Sequence, residues 1–156
     1  MLDQEGQGAR MAKSYRVSRS RSLDLARVLL VDDDVTSRLT LQTVLEAGGY
    51  QVDSAASAAE ALGKLEEREY ELVLTDLRME SPEAGLKVLA HARMMDYKPA
   101  TALVTTYQNS RGRNHKNAAT VLIEPEDLPG LLGRIADLVS ERATRKVERE
   151  LRHLGN

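Results

Sequence analysis

Two short apolar runs in this chain end in carboxylates. Leu72-Val73-Leu74-Thr75 finishes on Asp76, and Val28-Leu29-Leu30-Val31 finishes on Asp32-Asp33-Asp34. An uncharged run of strand-forming residues that stops at an acid fits a fully buried parallel strand, which delivers one charged side chain to the open end of a sheet. Taken alone, Asp76 reads equally well as a helix N-cap after a strand. Side by side, the two runs bring their acids together, and a third run, Ala100 to Thr105, carries Thr105 and Thr106 to the same edge. Three carboxylates in one place repel and raise one another's pKa unless a cation joins them. With no Cys in the chain and no His nearby, an all-oxygen donor set favours Mg²⁺ or Mn²⁺ over Zn²⁺. An aspartate beside such an ion is a candidate phosphoryl acceptor, because the carboxylate is a covalent nucleophile and the ion offsets charge on the transferring oxygens. Thr105 is placed to donate a hydrogen bond to the same group.

Those residues need a sheet to hold them. Arg27 to Val31 reads as a strand, followed by a helix over Thr36 to Ala47 with Leu41, Val44 and Leu45 at helical spacing, ended by Gly48-Gly49. Tyr50 to Ala55 is a second strand. Ser57-Ala58-Ala59-Glu60 is a capping box that opens a helix carrying Ala61, Leu62 and Leu65. Leu72 to Asp76 follows as the third strand, and Gly85 to Met94 as a helix with Leu86 and Leu89 on one face. After the fourth strand, Gln108 to Asn117 is polar with no apolar face, so the next helix is short or replaced by a loop. Val121-Leu122-Ile123 is the fifth strand, closed by Glu124-Pro125. Asp127 caps a last helix with Pro129 in its first turn and Leu131, Leu132, Ile135, Leu138 and Val139 as its buried stripe. Strands alternating with helices call for an α/β fold, a doubly wound parallel sheet whose functional edge lies at the C-terminal strand ends.

The last helical pattern outruns the sheet. Ala143, Val147, Leu151 and Leu154 extend one apolar line, and a helix from Asp127 to Leu154 would be ~42 Å long. Residues 141–156 are therefore a helical extension in which Glu141, Arg142, Arg145, Lys146 and their charged neighbours leave only a narrow seam. It either pairs with a second copy as a homodimer or remains a solvated, charged tail.

Composition narrows the function classes. Lys+Arg 22 against Asp+Glu 24 gives no global field for nucleic acid or membrane, and neither is an expected partner. The lack of Cys excludes disulfides and thiolate chemistry and suits a reducing cytoplasm. No stretch approaches the ~20 apolar residues of a membrane span, and the N-terminus lacks the apolar centre of a secretory signal. Residues 1–25 are read as a disordered basic tail, with five basic and no acidic side chains between Arg10 and Arg21. The working domain is 26–140.

Together, Val28-Leu29-Leu30-Val31-Asp32-Asp33-Asp34, Leu72-Val73-Leu74-Thr75-Asp76-Leu77-Arg78-Met79 and Ala102-Leu103-Val104-Thr105-Thr106 resemble, in order and spacing, the receiver domain of two-component response regulators. The resemblance covers roughly residues 26 to 140. It implies a flavodoxin-like (βα)5 sheet, with Mg²⁺ held by Asp33, Asp76 and the backbone carbonyl of Arg78 and with support from Asp32. It further implies that Asp76 takes phosphate from a histidine kinase or phosphotransfer protein. Thr105 then turns toward the phosphoryl group and alters a surface that meets a downstream protein. No helix-turn-helix follows, so the expectation is a single-domain, non-enzymatic phosphoacceptor that signals by contact.

Three positions depart from the family pattern. Glu124 stands where the family has a lysine before proline, replacing a cation on the phosphate with an anion. Arg111, Arg113 or Lys116 is a candidate substitute. Val121 stands at the aromatic switch position, and Met79-Glu80-Ser81-Pro82-Glu83-Ala84 lengthens the loop after the acceptor by one residue. Two rival readings follow from the residues. One is a pseudo-receiver that keeps the fold and binds proteins without phosphorylation. The other uses Asp32-Asp33-Asp34-Val35-Thr36 as the D-x-D-x-T of a haloacid-dehalogenase-type phosphatase, with Asp32 as nucleophile and Asp34 as acid.

Overall fold

The computed structural model describes residues 26–76, 79–104, 122–123 and 128–155. The elements run β1 (Arg27–Val31), α1 (Val35–Ala47), β2 (Gln51–Ala55), α2 (Ala58–Glu67), β3 (Leu72–Asp76), α3 (Ala84–Met94), β4 (Ala100–Val104), β5 (Leu122–Ile123) and α4 (Leu128–Leu154). All strand pairs are parallel and the order across the sheet is β2-β1-β3-β4-β5, the flavodoxin-like arrangement. Four helices stand among the described residues. The basic tail, the polar segment 108–117 and the Asp127 cap lie outside them.

Alternation along the central strands divides the core in two. Val28, Leu30, Leu72, Leu74, Ala100 and Ala102 face α1 and α4, packing on Leu41, Leu45, Leu131 and Ile135. Leu29, Val31, Val73 and Leu103 face α2 and α3, packing on Ala61, Leu65, Val88 and Leu89. Burial on both sides is why these strands are continuous apolar runs and not alternating ones.

The local signals at helix ends act as the sequence predicts, with one difference. Ser57 Oγ accepts from the Glu60 N–H at 3.2 Å, but Glu60 Oε2 reaches back to the Ala56 N–H at 3.0 Å, one residue before the cap. Gly48 caps α1, and Gly49 takes φ 100°, a left-handed turn that glycine adopts without steric penalty.

Two readings of side-chain placement need correction. Leu86 does not share the buried face of α3: it is 45% exposed, while Ala84, Gly85, Val88, Leu89 and Ala92 are buried. Small residues let α3 lie close on the sheet, and the packed face centres on Val88 and Ala92 instead. Arg142, counted among the solvated charges of the extension, is also buried. Its Nη2 donates to the Tyr97 carbonyl at 2.7 Å and its Nε to the Lys98 carbonyl at 3.1 Å. Helix α4 runs without interruption through residues 140 and 141, and the apolar line beyond Arg142 is open, with Val147, Leu151 and Leu154 all exposed.

Candidate functional site

The register of the sheet builds the site. Val31 pairs with Thr75, so the next residues of the two central strands, Asp32 and Asp76, leave the sheet side by side. Asp76 in turn pairs with Val104, which sets the chain before Thr105 against the acceptor strand. Asp76 ends β3 while α3 begins only at Ala84, with Glu83 at its N-cap position. The helix-cap alternative for Asp76 is therefore not realised.

Asp32, Asp33 and Asp76 each bring a carboxylate oxygen into one cluster, all within 4.8 Å of one another. Asp32 is buried, Asp76 half-buried and Asp33 exposed. Burial pushes the Asp32 carboxyl above its ordinary value. The backbone N–H of Asp34, donating to Asp32 Oδ1 at 3.0 Å, works against this, and the charges of Asp33 and Asp34 add to it. Three acids, one of them short of water, form a donor set of hard oxygens suited to a hard divalent cation. The residues present therefore fit the ion that the sequence calls for.

Asp34 has a different task. Its Oδ2 accepts from the Ser37 N–H at 2.9 Å and caps α1. That backbone bond, the Ser37 side chain and the Arg38 charge together hold its carboxyl below the usual range. The carboxylate that the D-x-D-x-T reading needs as an acid is thus committed to the helix end and is not among the three that converge.

Two tethering side chains were not singled out from the sequence. Arg38 Nη1 donates to the Asp32 carbonyl at 2.7 Å and fixes the backbone at the turn into α1. Its place on the second turn of that helix, four residues after the cap, was the available signal. Glu80 Oε1 accepts from the Ala58 N–H at 2.9 Å, linking the connection after β3 to α2, and no local pattern announces a partner 22 residues away. Arg78, Thr105, Val121 and Glu124 lie outside the described residues, as do Arg111, Arg113 and Lys116.

The family model for the response regulator receiver domain matches residues 28–122. The chain belongs to the receiver family. Among curated relatives, the receiver is 38% identical over 79 residues to a transcriptional regulatory protein CpxR homolog of Haemophilus influenzae, covering 51% of this chain and 34% of that one. It is 31% identical over 128 residues to the sensory/regulatory protein RpfC of Xanthomonas campestris pv. campestris, covering 78% of this chain and 17% of RpfC. The receiver spans about a fifth of the length of several such relatives, the transcriptional regulatory protein ZraR of Klebsiella oxytoca among them at 18%. Among solved structures it is similar to the response regulator protein TrrA of Thermotoga maritima in complex with Mg²⁺-BeF. The TM-score there is 0.61 and the identity 26%, covering 72% of this chain and 97% of that one. A CheY-like receiver domain protein of Methanospirillum hungatei gives 0.62 and 25%, covering 76% and 97%. No helix among the described residues is long and apolar enough to cross a membrane.

Proposed function

We propose that this receiver accepts a phosphoryl group on Asp76 in a Mg²⁺-dependent phosphorelay and passes the signal on by protein contact. The observation that carries the reading is the convergence of Asp32, Asp33 and Asp76 at the C-terminal edge of the sheet. Asp33 and Asp76 would hold the ion with Asp32 in support, and the backbone carbonyl of Arg78 completes the set implied by the family. When bound, Mg²⁺ supplies positive charge that offsets the charge on the transferring phosphoryl oxygens. Asp76 Oδ forms the new O–P bond as the donor's N–P bond breaks, and the donor imidazole leaves with the electron pair and takes a proton from water. The donor is a histidine kinase or a phosphotransfer protein. TrrA, solved with Mg²⁺-BeF, supports the same chemistry here. The chain acts as a phosphoacceptor and not as an enzyme with a separate substrate, and a cytoplasmic setting goes with that role.

Intact mass after incubation with acetyl phosphate and Mg²⁺ tests the reading. The wild type gains one phosphoryl group, about 80 Da, and Asp76→Asn gains nothing. No gain in the wild type refutes the phosphoacceptor and favours the pseudo-receiver that binds proteins without phosphorylation. Glu124, an anion where the family carries a cation, is the sequence feature behind that second reading. Under the phosphoacceptor reading, Glu124→Lys lengthens the lifetime or raises the occupancy of the acyl phosphate.

A further inference from the structure

In the connection between Asp76 and the start of α3 at Ala84, Met79 and Glu80 make contacts elsewhere in the fold. Met79 packs, partly buried, against the apolar cluster shared by α2 and α3. Glu80 reaches across to α2, where its Oε1 accepts the Ala58 N–H at 2.9 Å. The α3 end of the connection supplies no such hold, because Glu83 at the N-cap position makes no side-chain capping bond.

The first turn of a helix presents N–H groups that its own backbone leaves unpaired. At α2, Ser57 takes the Glu60 N–H and Glu60 takes the Ala56 N–H. Those two acceptors are local to the helix. The Ala58 N–H is taken by a carboxylate from another element, at the positive end of the helix dipole where an anion is favoured. Glu80 lies four residues beyond Asp76. β3 holds Asp76, and the bond to α2 holds Glu80.

We propose that Glu80 is a positioning residue. It ties the connection after the acceptor strand to the N-terminus of α2 and so holds the acceptor edge in the arrangement that binds the divalent ion. The proposal rests on the phosphoacceptor reading for its consequence in phosphoryl transfer, though not for the tether itself. Its chemistry is that of an acceptor oxygen, so Gln at position 80 preserves the role and Ala abolishes it.

The test compares the full-length wild type with Glu80→Ala, Glu80→Gln and Glu60→Ala. The last loses an acceptor at the same helix end without touching the acceptor connection. Amide hydrogen exchange without metal reads the tether, a Mg²⁺ titration followed by amide NMR shifts reads the ion site, and intact mass with acetyl phosphate reads transfer. Glu80→Ala is expected to speed exchange at Ala58, whose N–H loses its acceptor, and to weaken Mg²⁺ binding about tenfold. Glu80→Gln stays within about twofold of the wild type, and Glu60→Ala leaves Mg²⁺ binding unchanged. Equal Mg²⁺ affinity in Glu80→Ala and the wild type overturns the proposal. So does an equal loss in Glu60→Ala, which would make Glu80 only a stabiliser of α2. If the wild type binds Mg²⁺ but takes no phosphoryl group, the phosphoacceptor reading falls while exchange and titration still decide the tether. A wild type that binds no Mg²⁺ overturns both.

Discussion

Replacing Arg142 with alanine should destabilise the fold more than any other single charge removal on α4. The side chain is 8% exposed and, among the described residues, makes no ion pair. Its partners are main-chain carbonyls, Tyr97 O at 2.7 Å and Lys98 O at 3.1 Å, in the turn that leads into β4. Hydrogen bonds from a charged donor contribute about 1.5–3 kcal/mol each. Water can enter the space left by the side chain and rehydrate both carbonyls, which places the loss for the pair at the lower end, about 3 kcal/mol. A further cost comes from Lys98, whose φ of 45° lies in the left-handed region and whose carbonyl Arg142 holds. For a chain of this size, about 3 kcal/mol corresponds to a fall in Tm of roughly 6–12 °C. Urea unfolding at equilibrium is the direct assay, with the midpoint expected to drop and the slope to stay constant. Arg142→Lys should recover about half of the loss, since an ammonium is a compact donor without the guanidinium's fixed fork. An Arg142→Ala protein within about 0.5 kcal/mol of the wild type would show that the two carbonyl bonds contribute nothing net.

Three further outcomes follow from the packing and the titrating groups. Leu89→Ala should cost about 3 kcal/mol in urea unfolding, whereas Leu86→Glu should stay within about 0.5 kcal/mol; a large loss at position 86 would restore it to the core. Burial, and next the charges of Glu66 and Glu69, push the Tyr97 phenol up from 10.0 to about 12, so the folded state holds that proton more tightly than the unfolded chain. The resulting stabilisation is fully present below pH 10.0 and is lost as pH rises through about 12. Tyr97→Phe should flatten that alkaline decline in part, with Tyr50 and Tyr70, both also raised by burial, retaining the rest. Leu151→Glu should leave monomer stability unchanged because the side chain is 60% exposed. A concentration-dependent fall in sedimentation coefficient on that substitution would instead identify the distal helix as a contact between two copies.

The strands and the acid edge were legible because buried parallel strands leave a one-dimensional trace. Val28 to Val31 and Leu72 to Thr75 are uncharged and buried on both faces, and the first carboxylate after each marks where the sheet opens. Two helix ends were legible for the same reason, since Ser57 and Gly48 act on groups within four residues of themselves, whereas Asp34, read with the converging acids, turned out to cap α1. What sequence reasoning missed depends on contacts between distant segments. Arg142 sits in a run of charges that reads as solvated, and its partners are backbone atoms 44 and 45 residues away. Glu80 stays exposed in the fold, and its partner, the Ala58 N–H, lies 22 residues away. Leu86 misled because apolar spacing alone cannot tell which face of a short helix the small residues Ala84, Gly85 and Ala92 will press against the sheet.

The guanidinium of Arg142 also sets a fulcrum. Beyond it, residues 143–154 continue the same helix with no other buried side chain, an arm of about 18 Å at 1.5 Å per residue. An arm of that length turns a 10° tilt at its pivot into a displacement of about 3 Å at Leu154, comparable to the rise of two residues. Small adjustments where α4 lies on the sheet are thereby magnified at its far end, as a needle magnifies the motion of its spindle.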